Sequence, residues 1–211
     1  PINFILKKTV YGHFVAGENI KKSQSVISRL GEYGVYSILD YSVEAGENET
    51  GFQHALEETI KTIEHAANNE YVPFAVFKPS ALSYEWVLKQ EKKENFEKEV
   101  ENFKKRVFLL FKNAYEKNIP ILVDAEDVDY QNIIDIAVEE GMEKFNKKDA
   151  IVFQSLQMYR TDRLEYLKHL IEKSKSKDFY LGIKLVRGAY LEKERKLAKM
   201  RGEKSPVFNE K

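Results

Sequence analysis

Gly182-Ile-Lys-Leu-Val-Arg-Gly-Ala-Tyr190 is an apolar strand pattern that carries one cation inside it and a second at its end, with Glu194 four residues further on. Such a segment delivers polar groups to the point where a buried strand gives way to a helix, which is where α/β proteins hold ligands. Lys184 lies within the apolar stretch, where an unpaired ammonium would be destabilising. It therefore pairs with a carboxylate, Asp124 or Glu126, or faces an anionic ligand, and the two are compatible. Arg187-Gly188-Ala189 joins a planar donor fork to a residue that admits close backbone approach, which suits a phosphate or the edge of an anionic ring.

The other candidates sit at similar places. Lys78 ends an apolar run and is followed by Pro79, so its ammonium needs a carboxylate or a ligand. Asp124 follows Ile121-Leu-Val123 and could orient a ligand, tie down a cation or cap a turn. Glu126, two residues on, reads as structural. Gln157 offers an amide to a heteroaromatic ring edge. His13, His54, His65 and His169 are scattered with no carboxylates at ligand spacing, so no metal site is expected. There is no cysteine, which excludes thiolate chemistry and fits a reducing compartment. Nucleophile-elbow, Walker-loop and Gly-x-Gly-x-x-Gly patterns are missing from the sequence.

Elements that could position these residues alternate along the chain. Short apolar runs over 35–39, 72–77, 121–123, from 151 toward 157, and 180–186 read as parallel strands buried on both faces. Helical spacing of apolar residues marks 52–67, 130–145 (through Ile133, Ile134, Ile136, Ala137 and Met142) and 163–171 (through Leu164, Leu167 and Leu170). The stretch 84–117, with its charged run from Lys89, reads as one long helix or two. Helical spacing over 22–30 precedes the first strand, so residues 1–33 are assigned to an N-terminal helical arm and 34–211 to the β/α unit. Polar residues close all five strands, which favours a (β/α)8 TIM-barrel type of α/β fold over a doubly wound sheet. About five of its eight units are present.

Composition narrows the function. The 211 residues are 43% hydrophobic and 32% charged, with 34 basic and 34 acidic side chains in balance. That leaves no electrostatic case for nucleic acid as a partner. The chain contains no apolar run near the ~18 residues of a membrane span. The N-terminus has its charges after its apolar patch, the reverse of a signal peptide, and begins without Met.

Taken in order, the segments resemble the proline dehydrogenase family. They are Leu39-Asp-Tyr-Ser-Val-Glu44, Phe77-Lys-Pro-Ser-Ala-Leu82, Val123-Asp-Ala-Glu126, Gln157-Met-Tyr159, and Lys184-Leu-Val-Arg-Gly-Ala-Tyr190 with Glu194. The resemblance implies an FAD-dependent barrel that oxidises L-proline to 1-pyrroline-5-carboxylate and passes electrons to a quinone. It implies a cytoplasmic protein, peripheral on the inner face of the cell membrane. By the same resemblance Asp124 and Lys184 are the catalytic candidates, and Lys78, Glu44 and Tyr190 contact substrate. In the family, the residue matching Glu44 pairs with a substrate-binding arginine on the last helix. Ala125, Gln157, Lys184, Arg187, Gly188 and Ala189 would contact the flavin. Lys184 stands where many bacterial members carry Arg, so charge is kept while two-pronged donation is lost.

The family's last three strands and closing helix have no counterpart in the sequence, so a fragment, inactive alone on proline, is expected. Three other readings stand beside this one. They are a hydroxyproline-type dehydrogenase of the same family, a truncated non-catalytic barrel, and a lyase with Lys184 as Schiff-base amine.

Overall fold

A computed structural model describes residues 16–17, 19–40 and 48–208. Glu44, the rest of 41–47, and residues 1–15 and 18 of the N-terminal arm lie outside the described residues.

The chain begins with helix α1 (Ile20–Glu32), started by Asn19, whose side chain accepts the Lys22 N–H at 2.9 Å. Strand β1 (Ile38–Asp40) leads to α2 (Glu49–Ala67), capped in the same way by Asn48 through Gly51 N–H at 3.0 Å. Then come β2 (Phe74–Phe77), a 3-10 turn (Pro79–Leu82), α3 (Glu85–Leu88) and α4 (Phe96–Glu116). The second half runs β3 (Ile121–Val123), α5 (Val128–Phe145), β4 (Val152–Gln157), α6 (Arg163–Lys177), β5 (Ile183–Val186) and α7 (Leu191–Arg201).

The strands form one parallel sheet in sequence order, β1-β2-β3-β4-β5. A doubly wound sheet reverses its order at a switch point, whereas a barrel adds each strand on the same side of the last. The order therefore belongs to the barrel type. The barrel is not closed: β1 and β5 are both edges, with Ile38 47% and Leu185 65% exposed.

Strand register divides the side chains between two faces. Ala75, Phe77, Ile121, Val123, Val152 and Leu156 point toward the helices, where they form the main core with residues such as Ile63, Phe111, Ile134 and Met142. Val76, Leu122, Phe153, Ser155 and Lys184 share the opposite face. There Phe74 and Phe153 meet edge-on, their centroids 5.4 Å apart. Gly182 is required by close approach: a Cβ would lie 2.4 Å from the Val152 carbonyl oxygen and 2.8 Å from the Phe153 ring.

Of the two readings of 84–117, the chain forms two helices, because Gln90 and Asn95 take left-handed backbone between them. The sequence expectations need three corrections. On α5, Ile136 is 44% exposed while Asp135 is buried. On α6, Leu164 is 53% exposed, and Leu170 is the fully buried member of its row. Residues 35–37 are not strand; they reach the sheet through the Ser37 N–H bond to the Tyr71 carbonyl at 2.8 Å.

Candidate active site

The C-terminal ends of the strands face one mouth. Lys78 follows β2 and pairs with Asp40 at the end of β1, 3.3 Å apart. Asp124 follows β3, its N–H donating to the Phe77 carbonyl at 3.1 Å. Lys184 reaches from β5 to the Asp124 carboxylate, so the partner is Asp124 rather than Glu126. The ion pair crosses β4, the strand between them, at the level of Ser155.

Glu126 is buried and turned back into the protein. Its carboxylate accepts the Ser80 N–H at 2.7 Å and the Ser80 hydroxyl at 2.5 Å, fastening the β3 end to the turn after β2. Burial pushes its carboxyl above the usual range, against the pull of the two Ser80 donors. Gln157, fully buried at the end of β4, donates from Nε2 to the Glu126 carbonyl at 2.8 Å. The Gln157 amide therefore borders the main chain at Glu126–Asp127.

After β5 the chain turns outward. Arg187, Gly188 and Ala189 are exposed, and nothing lies within 4 Å of where a Cβ on Gly188 would be. Arg187 and Gly188 line a cavity of about 770 Å³ with Met158, Tyr159, Leu191, Glu192 and Phe208. Lys78, Asp124 and Lys184 are outside that lining, so the mouth has an inner charged cluster and an outer pocket. Tyr190 joins them. Its N–H donates to the Tyr159 hydroxyl at 3.1 Å, and burial together with Glu126, Asp127 and Asp124 pushes its phenol up to about 12.

Arg160 carried no signal in the sequence, and Tyr159 and Glu194 stood in the motifs without an assigned role. Tyr159 supports the turn before α7. Glu194 is buried and accepts the Val128 N–H at 3.1 Å, tying α7 to the start of α5. Arg160 is buried beside Gln157. Among the described residues no cluster of His, Asp and Glu could hold a metal ion, and no helix is long and apolar enough to cross a membrane.

Five parallel strands in barrel order, with cations and carboxylates gathered at their C-terminal ends, define a β/α-barrel type of protein with its site at the mouth. The proline dehydrogenase family model matches residues 23–211, and the chain belongs to that family. It is 32% identical over 203 residues to the carbapenem antibiotics biosynthesis protein CarD of Pectobacterium carotovorum subsp. carotovorum, covering 92% of this chain and 52% of that protein. It is 30% identical over 253 residues to mitochondrial proline dehydrogenase 1 of Dictyostelium discoideum, covering 99% of this chain and 44% of that one. The fold matches proline utilization A (PutA) from Bdellovibrio bacteriovorus with a TM-score of 0.84 at 20% identity, over 99% of this chain and 23% of that one. The chain thus spans about half the length of the curated relatives it matches.

Proposed function

We propose that this chain supplies the strand-end face of a flavin enzyme that oxidises L-proline to 1-pyrroline-5-carboxylate. The observation that carries the reading is the ordered set Lys78, Asp124, Gln157, Lys184 and Arg187 at successive strand ends of one parallel sheet, in a member of the proline dehydrogenase family.

The donor set fits FAD, an extended molecule with a ring at one end and phosphates in the middle. Gln157 and the Ala125 main chain would hold the ring edge. The open turn Arg187-Gly188-Ala189, on the 770 Å³ cavity, would take the anionic part. Bound FAD would supply the two-electron acceptor, with a quinone at the membrane surface receiving the electrons in turn.

The chain's own residues hold charge and orient. Lys184 is fixed by Asp124, so a positive charge stays at the mouth at no cost of reorganisation, where it favours a ring that gains negative charge. Lys78 offers an ammonium to the substrate carboxylate and is kept in place by Asp40. Tyr190, with its phenol held protonated, packs against substrate and excludes water. Glu44 would pair with a substrate-binding arginine.

The test is proline-dependent dye reduction by the full-length protein loaded with FAD, with trans-4-hydroxy-L-proline assayed in parallel. Turnover preferring L-proline supports the assignment. A preference for hydroxyproline overturns the substrate, and failure to bind FAD overturns the cofactor.

A further inference from the structure

Beneath the mouth, between the sheet and helices α5 and α6, runs a polar chain that begins and ends on one residue. The Glu126 N–H donates to Gln131 Oε1 at 3.4 Å, and Gln131 Nε2 donates to Asp135 Oδ1 at 2.7 Å. Arg163 Nη1 donates to Asp135 Oδ2 at 2.6 Å, and its Nη2 to Asp162 Oδ2 at 2.6 Å. Arg160 grips the same Asp162 carboxylate through Nε and Nη2, at 3.0 and 2.7 Å. Its Nη1 points at Gln157 Oε1, 3.5 Å away. Gln157 Nε2 returns to the Glu126 carbonyl at 2.8 Å.

Gln131, Asp135, Gln157, Arg160 and Arg163 are all buried, with Asp162 the exposed link. Burying two guanidinium groups and a carboxylate is not an economical way to fill space, since apolar residues of similar size are often as stable or more so. What apolar residues cannot do is fix the direction of an amide. The ionic middle of the chain has the shortest contacts, and the two long contacts are those to the Glu126 N–H and to Gln157 Oε1. The middle is thus a rigid bracket, and its ends bear on neutral groups. A guanidinium at Oε1 and a carbonyl at Nε2 allow the Gln157 amide one orientation and not its flipped form.

We infer that Arg160 is a positioning residue, set by Asp162 and the Arg163–Asp135 pair, which fixes the Gln157 amide and the Ala125–Glu126 peptide before any ligand arrives. These are the groups assigned above to the flavin ring edge, and the functional meaning of the inference rests on that reading. Gln154 adds a brace, donating to Asp135 Oδ1 at 2.6 Å from the helix-facing side of β4.

The experiment uses the full-length protein as purified, with Arg160→Met and the milder Asp162→Asn, which alters only the exposed link. Two quantities are read: amide hydrogen exchange at Glu126, compared with Ile121 and Val123, and the FAD dissociation constant. Removing an outer partner of a site residue commonly costs on the order of tenfold. Each variant is expected to speed Glu126 exchange and weaken FAD by about that factor. Ile121 and Val123 keep their protection and the KM for proline stays in place. Arg160→Lys, which keeps charge but loses the fork, falls between. Unchanged Glu126 exchange in Asp162→Asn overturns the inference, as does a parallel rise at Ile121 and Val123, which would mean general loosening. A wild-type protein that takes up no FAD sinks the flavin reading instead, and the exchange comparison still decides the role of Arg160.

Discussion

Lys184 and Asp124 are joined across an intervening strand. They leave β5 and the end of β3, on either side of β4, and meet across it at the level of Ser155. Neighbouring strands are about 4.8 Å apart, so the pair spans roughly twice that distance, which a short side chain alone could not cover.

The pair should matter more to activity than to folding. Its side chains are 38% and 23% exposed, and such pairs contribute at most about 1 kcal/mol to stability. Asp124→Asn is predicted to leave the urea midpoint nearly in place while kcat/KM for proline falls by about 10²–10³. Equal, small losses in both would assign the pair to structure.

Glu126 should behave in the opposite way. Glu126→Ala strands the buried Ser80 N–H and hydroxyl, and leaving a buried donor unsatisfied costs about 1–3 kcal/mol. The loss should appear in equilibrium unfolding, and Glu126→Gln should recover part of it. A Glu126→Ala variant as stable as wild type would show that the strand-end clasp contributes nothing.

Asp162 should set part of the acid limb of stability. Burial works against its charge, yet the guanidinium groups of Arg163 and Arg160 hold the carboxyl down to about 2. With the folded value below the ordinary one, the contribution is complete above about pH 4 and is lost as pH falls toward 2. Its size is limited because Asp162 is half exposed. Melting temperatures from pH 6 to pH 3 should therefore fall less steeply in Asp162→Asn than in wild type. Parallel curves would contradict this.

The two glycines flanking the β5 cations should separate folding from binding. Gly182→Ala drives a methyl into the Val152 carbonyl and is predicted to destabilise by about 1–3 kcal/mol. Gly188→Ala meets open space, so its stability should stay within about 0.5 kcal/mol of wild type while FAD affinity falls. Unimpaired FAD binding in Gly188→Ala would remove that turn from the cofactor site.

Much of this was legible in the chain, for physical reasons. Ile121–Val123 and the run toward Gln157 read directly as strands because strands buried on both faces leave nearly unbroken apolar stretches. The polar residues that follow them marked the mouth. Residues 35–37 and 180–182 have the same composition but do not form strand, and Val35, Tyr36 and Tyr180 are exposed, since composition alone fixes neither burial nor register. The charged run around Lys89 gave no warning that Gln90 and Asn95 would turn left-handed. The bracket of Arg160, Asp162, Arg163 and Asp135 stayed hidden because scattered charges carry no sign of burial or of mutual pairing in the sequence. Burial becomes evident only when α5 and α6 are packed against β4.

The reading of these strand ends as a flavin site for proline oxidation is open to one direct test. The most direct measurement is the visible spectrum of the full-length, FAD-loaded protein, titrated anaerobically with L-proline. A bound-flavin band that bleaches with about one equivalent of reduced flavin per site is expected. Flavin that binds and does not bleach, or a protein that cannot retain FAD at all, would contradict it.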